Sequence, residues 1–250
     1  MNGFGPEMLA LIAGVFLLAG VIKGTVGIGL PTASVGMMSQ VMDPRMAIAL
    51  VVFPSLLSNA WQIWRSGMVA ETIRRFWVYL VCLISVIAVV SLTLTATIRT
   101  DVLLLVLGGV IILFSVSSLA WAPPFLPERF DRAGQVVSGV ASGALGGLTA
   151  IWAPPMVTYL MARRVQKDAF VAATGVMIFA GTIPLIGGLW SNGVITGPTA
   201  GLSILMTIPA LAGFTVGERL RRRLDADRFR TVVLVIFLIM GLNLIRRAML

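Results

Sequence analysis

The residues best placed to do chemistry in this chain are Lys23-Gly24-Thr25-Val26-Gly27-Ile28-Gly29-Leu30-Pro31-Thr32, and most of that chemistry belongs to the backbone. The stretch lies in an apolar run from Met8 to Met42 whose only charge is Lys23. Gly24, Gly27, Gly29 and Pro31 are residues that interrupt a helix. A helix that restarts at Pro31 turns its free N–H groups, and the positive end of its dipole, toward whatever lies in front of it. Proline suits that first turn because it needs no donor there. Such an end holds an anion without a charged side chain, and the glycines allow a ligand close to the main chain. A weaker copy follows 123 positions later, in Gly146-Gly147-Leu148-Thr149-Ala150-Ile151-Trp152-Ala153-Pro154-Pro155. The expectation is a pair of helix N-termini facing each other near mid-membrane across one small anion. Gly24, Gly27, Gly29 and Pro31 would line one side, with Gly147, Pro154 and Pro155 on the other.

Side chains add to this. A lysine in the middle of a bilayer costs about 2.5–3.5 kcal/mol on insertion scales and so calls for a reason. Three readings of Lys23 stand: contact with a ligand, neutralisation of carbonyls at the end of the preceding half-helix, or snorkelling to the membrane surface. Thr25, Thr32 and Thr149 carry hydroxyls that reach either a ligand or a carbonyl of their own helix. Trp152 is packing, a gate, or a ligand contact. Asn59, next to Ser58 within the second apolar run, either lines a cavity or ties helices together.

Composition limits what such residues can belong to. Hydrophobic residues make up 58% of the 250 and charged residues 12%, against about 25% charged in a soluble domain. The chain reads as an all-α polytopic membrane protein. Its net charge of +9 comes from arginines at the ends of apolar runs, a topology signal more than a nucleic-acid one. With no histidine and one cysteine, Cys82, there is no basis for a disulfide framework, a Cys/His zinc site or histidine acid–base catalysis. No Asp or Glu interrupts an apolar run, so the usual carboxylate proton relay is missing. The expectation is a non-enzyme without cofactor or metal, and without nucleic acid as partner. The opening Met-Asn-Gly-Phe-Gly-Pro-Glu lacks the basic segment of a signal peptide.

Eight apolar runs position these residues. The first (Met8 to Met42) and fifth (Ala133 to Ala162) are 35 and 30 residues long, too long for one span and too short for two. The others (from Met46, Phe76, Val102, Ala169 and the segment after Pro198) are of about one span each, and the last, from Thr231 to Ile245, is short. Gly20, Gly24, Pro31 and Ala49 align with Gly143, Gly147, Pro154 and Ala172 at an offset of 123. Trp64, Gly67 and Asp101 align with Trp190, Gly193 and Asp227 at an offset of 126. The expectation is two repeated halves, 1–126 and 127–250, forming one transport unit. Each half holds a broken helix, possible as a re-entrant hairpin, and three transmembrane helices. With eight full crossings, Lys and Arg outside Lys23 divide 11 to 7 between the two sides. With the long runs as hairpins that enter and leave on one side, they divide 14 to 4, and the halves become inverted. The hairpins would be pairs of half-helices of about 14 residues joined at glycine. Both topologies remain open at this point.

The pattern Gly20-x-x-Lys23-Gly24-x-x-Gly27-x-Gly29-x-Pro31, the segment Ser142 to Pro155, the Trp64/Gly67 and Trp190/Gly193 pairs and Gly217-Glu218-Arg219-Leu220 resemble the sulfite exporter TauE/SafE family of membrane transporters. The resemblance covers nearly the whole chain. It implies a permease of a bacterial inner membrane that moves small anions such as sulfite, organosulfonates or carboxylates, often outward. Ala150-Ile151-Trp152 departs from the family's pattern, in which further glycines often stand there. The partners implied are a small anion and the lipid bilayer; protons as coupling ion, homo-oligomerisation, direction and substrate stay open. The alternative is a membrane structural or assembly protein with no transported substrate.

Overall fold

The computed structural model describes residues 5–95, 97–120, 123–221 and 226–250. Arg222 and Arg223 of the basic loop lie outside them, and so does the side chain of Asp227. The described residues form ten α-helices and no strand: α1 (Pro6–Val26), α2 (Leu30–Met38), α3 (Pro44–Ser66), α4 (Val69–Thr93), α5 (Thr100–Ala120), α6 (Asp131–Thr149), α7 (Ala153–Ala162), α8 (Lys167–Ser191), α9 (Gly197–Leu220) and α10 (Ala226–Met249). Seven of them, all but α2, α6 and α7, are long and apolar enough to cross a membrane.

The two long runs are broken, though unequally. Arms of 21 and 9 residues form the first, and arms of 19 and 10 the second, where two arms of similar length were expected. The helices run on past Gly24 and Gly147 because those glycines serve packing. A Cβ on Gly20 or Gly24 would collide with the backbone of α9 at Ala210, Phe214 and Gly217, and one on Gly213 or Gly217 with the backbone of α1 at Leu17 and Val21. Two small-residue ridges four apart thus let α1 and α9 run side by side, backbone to backbone. Gly139, Gly143 and Gly147 do the same for α6 against Tyr79, Val86 and Val90 of α4. The chain turns instead at Gly27, with φ 89°, whose N–H bonds the Lys23 carbonyl at 2.7 Å. In the second run it turns at Ala150, with φ 58°, whose N–H bonds the Gly146 carbonyl at 2.8 Å. These are left-handed C-caps, and the two lie 123 positions apart.

Packing relates the remaining helices. α1 lies along α9, α4 along α6 and α5 along α10, while α3 packs on α8 and α9, and α8 also on α4. Pro54 inside α3 leaves the Leu50 carbonyl without its helical donor, and Ser203 of α9 supplies one at 2.7 Å.

Contacts at the helix ends fix the direction of each hairpin. Arg163, just after α7, pairs with Asp131 at the start of α6 at 2.7 Å, and the Leu126 N–H bonds the Ala162 carbonyl at 3.0 Å. The second hairpin therefore starts and ends at one end of the bundle, beside Arg75 of α4. The first does so at the opposite end. There Arg45, in the first turn of α3, bonds the carbonyls of Thr95 and Ile98 between α4 and α5. Asn192, leading into α9, bonds Ser91 and Leu92 at the same end. Arg65, Arg75, Arg129, Arg163, Lys167 and Arg221 gather at the second hairpin's end, and Arg45, Arg99 and Arg247 at the other.

Candidate functional site

Lys23 occupies the last turn of α1, and its side chain is 2% exposed. Its ammonium reaches across to α3, donating to Ser58 Oγ at 3.0 Å and Asn59 Oδ1 at 2.8 Å, with the Phe214 ring centroid 5.9 Å away. Asn59 is held in that orientation by its own amide, which donates to the Ser55 carbonyl at 2.7 Å. Neither acceptor carries charge, and no described carboxylate pairs with Lys23. The contacts are those of a side chain turned away from its own helix end and toward α3.

Above Lys23 lies a cavity of about 440 Å³. Its wall includes Gly24 and Gly27 of the first hairpin, Trp61, Gln62 and Arg65 of α3, Lys167, Asp168 and Val171 of α8, and Phe214, Glu218 and Arg221 of α9 and its end. The cavity opens at the arginine-rich end of the bundle, where Arg65, Lys167, Asp168, Glu218 and Arg221 also border the outer surface. Four cations against two carboxylates make the wall net positive. Glu218 is already engaged, with both its oxygens 2.9 Å from Arg65 Nη1. Gln62 spans to α8 through the Val171 carbonyl at 2.7 Å.

The other predicted residues do not reach this cavity. Thr25 bonds the Val21 and Ile22 carbonyls of its own helix. Thr32 and Pro31 are buried within α2, and Gly29, at φ 106°, borders a small apolar cleft with Ile28, Phe114, Val157 and Phe237. Gly147 packs on Val90, and its carbonyl accepts from Thr95 at 2.7 Å. Thr149 bonds Leu145 and accepts the Ile151 N–H. Trp152 is buried between α6 and α8, Pro154 faces α5 near Ser117, and the Pro155 carbonyl accepts from Ser138.

The N-terminus of α2 lies beside Val157, in the middle of α7. α2 runs from the level of Phe114 toward Gln40 and Asn243, whereas α7 runs from Trp152 toward Leu126, so their N-termini point to opposite ends. The arms are unequal, and each long arm crosses most of the bundle before the chain turns. Sequence reading takes the cations at the ends of apolar runs, Arg65, Lys167 and Arg221 among them, as topology charges, and does not single out Phe214. The signal that would have found them is the glycine ridge 213/217, which brings α9 against Lys23.

A polytopic helical bundle with two broken hairpins and a buried cation at the foot of a basic vestibule is the architecture of a membrane transporter. The profile of the Sulfite exporter TauE/SafE family matches residues 12–244, and the chain belongs to that family. It is thus an integral, multi-pass membrane protein and a transporter, not an enzyme. No curated protein and no solved structure matches it.

Proposed function

We propose that the protein exports a small oxyanion, such as sulfite, an organosulfonate or a carboxylate, and that the cavity above Lys23 is its loading site. The observation that carries this reading is a buried ammonium with no negative partner, on the floor of a cation-rimmed cavity. Ser58 and Asn59 accept two of its three N–H groups and leave its charge uncompensated. An oxyanion supplies both the missing charge and an acceptor. Charge-assisted hydrogen bonds of this kind are roughly twice as strong as neutral ones. Arg65, Lys167 and Arg221 at the mouth raise the local anion concentration.

The open end is also the arginine-rich end, which the positive-inside tendency assigns to the cytoplasm. A cavity open to the cytoplasm and closed on the far side is the loading state of an exporter. The halves 1–126 and 127–250 act as inverted repeats about this path. What supports that is an exchange of partners: α1 packs on α9 as α6 does on α4, and α3 on α9 as α8 does on α4. No carboxylate relay interrupts the apolar runs, so a coupling proton would ride on the substrate or on Lys23, and uniport needs no coupling ion at all.

The test is flux in proteoliposomes, with radiolabelled sulfite, a short sulfonate and acetate inside. The wild-type chain should release at least one of them, K23R should retain part of the activity, and K23M should lose at least about tenfold, the equivalent of roughly 1.4 kcal/mol. Wild-type rates in K23M would remove Lys23 from the site, and no flux of any anion would remove the permease reading.

A further inference from the structure

The second half holds an orphan donor in the place that corresponds to the Lys23 ammonium. Trp152 is 2% exposed, and its indole Nε1 is buried without an acceptor. That nitrogen fills the space left by two glycines. A Cβ on Gly181 would stand 2.9 Å from it, and one on Gly146 would overlap it outright. Gly146 is 123 positions after Lys23, and Gly181 is 123 after Ser58. In the first half a lysine on α1 donates to Ser58 and Asn59 of α3. In the second half an indole N–H lies between the corresponding positions of α6 and α8, with Ile87 and Leu83 of α4 around Gly181. Thr182, the counterpart of Asn59, bonds its own helix at Ile178 and offers nothing to the indole.

A buried N–H without an acceptor is costly to leave unmade, and a phenylalanine would fill the same cleft without that cost. We infer that Trp152 is the far-side station of the anion path: its ring plugs the path at rest, and its N–H donates to the anion when this half opens. The inference rests on the reading of the Lys23 cavity as loading site. The asymmetry has a use. A full positive charge captures the anion at the cytoplasmic end, whereas a neutral donor holds it more weakly and releases it at the other.

Three measurements on sulfite test this: equilibrium binding in detergent, flux in proteoliposomes, and thermal unfolding. W152F should bind like the wild type, unfold at the same or a higher temperature, and transport about tenfold more slowly, the share of one hydrogen bond. Benzothienylalanine at position 152, which keeps the ring's shape and replaces N–H by sulfur, should slow flux equally and guards against a packing defect in W152F. W152A should leak sulfite together with larger anions, because the plug is gone. Wild-type flux in the sulfur isostere beside an inactive K23M would overturn the inference and leave the loading site standing. Loss of binding in the isostere would also overturn it, since the far station would then not be separate. Wild-type flux in K23M would overturn both.

Discussion

At Lys23 the deciding quantity is charge balance, since its hydrogen bonds are largely made. Asn59 Oδ1 lies 2.8 Å from the ammonium, so N59D would place a carboxylate there with almost no change of shape. Two unit charges 4 Å apart attract by about 4 kcal/mol at an effective dielectric of about 20, well above the roughly 1.4 kcal/mol that makes a tenfold change. A tethered carboxylate should therefore displace the transported anion. N59D should fold, its new ion pair offsetting the loss of the amide bond to the Ser55 carbonyl, and lose sulfite binding and flux by more than about tenfold; flux near the wild-type rate would mean that the uncompensated charge is not what attracts the anion. At this scale the sequence showed Lys23 and Asn59 because an ionisable or amide side chain inside an apolar run is rare. It did not show that the two touch. Their separation of 36 residues becomes a contact only through the turn at Gly27 and the short return arm α2.

At the scale of the element, both breaks were legible from glycine and proline, and their depth was not. Gly24 reads as a helix breaker until one knows that α9 lies against it; then it is a packing residue and the helix continues. The turns proper sit at Gly27 and Ala150, and the second carries strain. An L-residue other than glycine in the left-handed region costs roughly 1–2 kcal/mol, while glycine costs about 0.5–1 kcal/mol in extra chain entropy on folding. A150G should therefore stabilise the protein by roughly 0.5–1 kcal/mol, and G27A should destabilise it by a similar amount. Neither is a matter of space at Gly27, where an added Cβ meets nothing within 4 Å. Unfolding of detergent-solubilised variants measures both, and a G27A protein as stable as the wild type would show that the cap is not strained. The same comparison explains why the Trp152 region departs from its counterpart: Gly29 takes φ 106°, whereas Trp152 takes φ −93° and sends its ring back toward Gly146.

For the whole molecule, the question the loop charges left open is whether the two long runs cross the membrane or return. The contacts make each a hairpin. Asp131 and Arg163 are paired across the mouth of the second, and Gln40 at the end of α2 bonds Asn243 and the Met240 carbonyl of α10. The proposed reading takes α3, α4 and α5 as the crossings of one half and α8, α9 and α10 as those of the other; three crossings per half would invert the second half relative to the first. Single cysteines in a Cys82→Ser background test this directly. Glu128 and Gln166 are exposed at the two ends of the second hairpin, and Thr97 is exposed between α4 and α5. In intact cells, a thiol reagent that does not cross membranes should label T97C alone, and E128C and Q166C should react together once the cytoplasmic face is opened. Eight plain crossings would instead put positions 128 and 166 on opposite sides. That outcome would also undo the export direction, because it would scatter the arginines around the Lys23 cavity over both faces and leave its mouth without a side of its own.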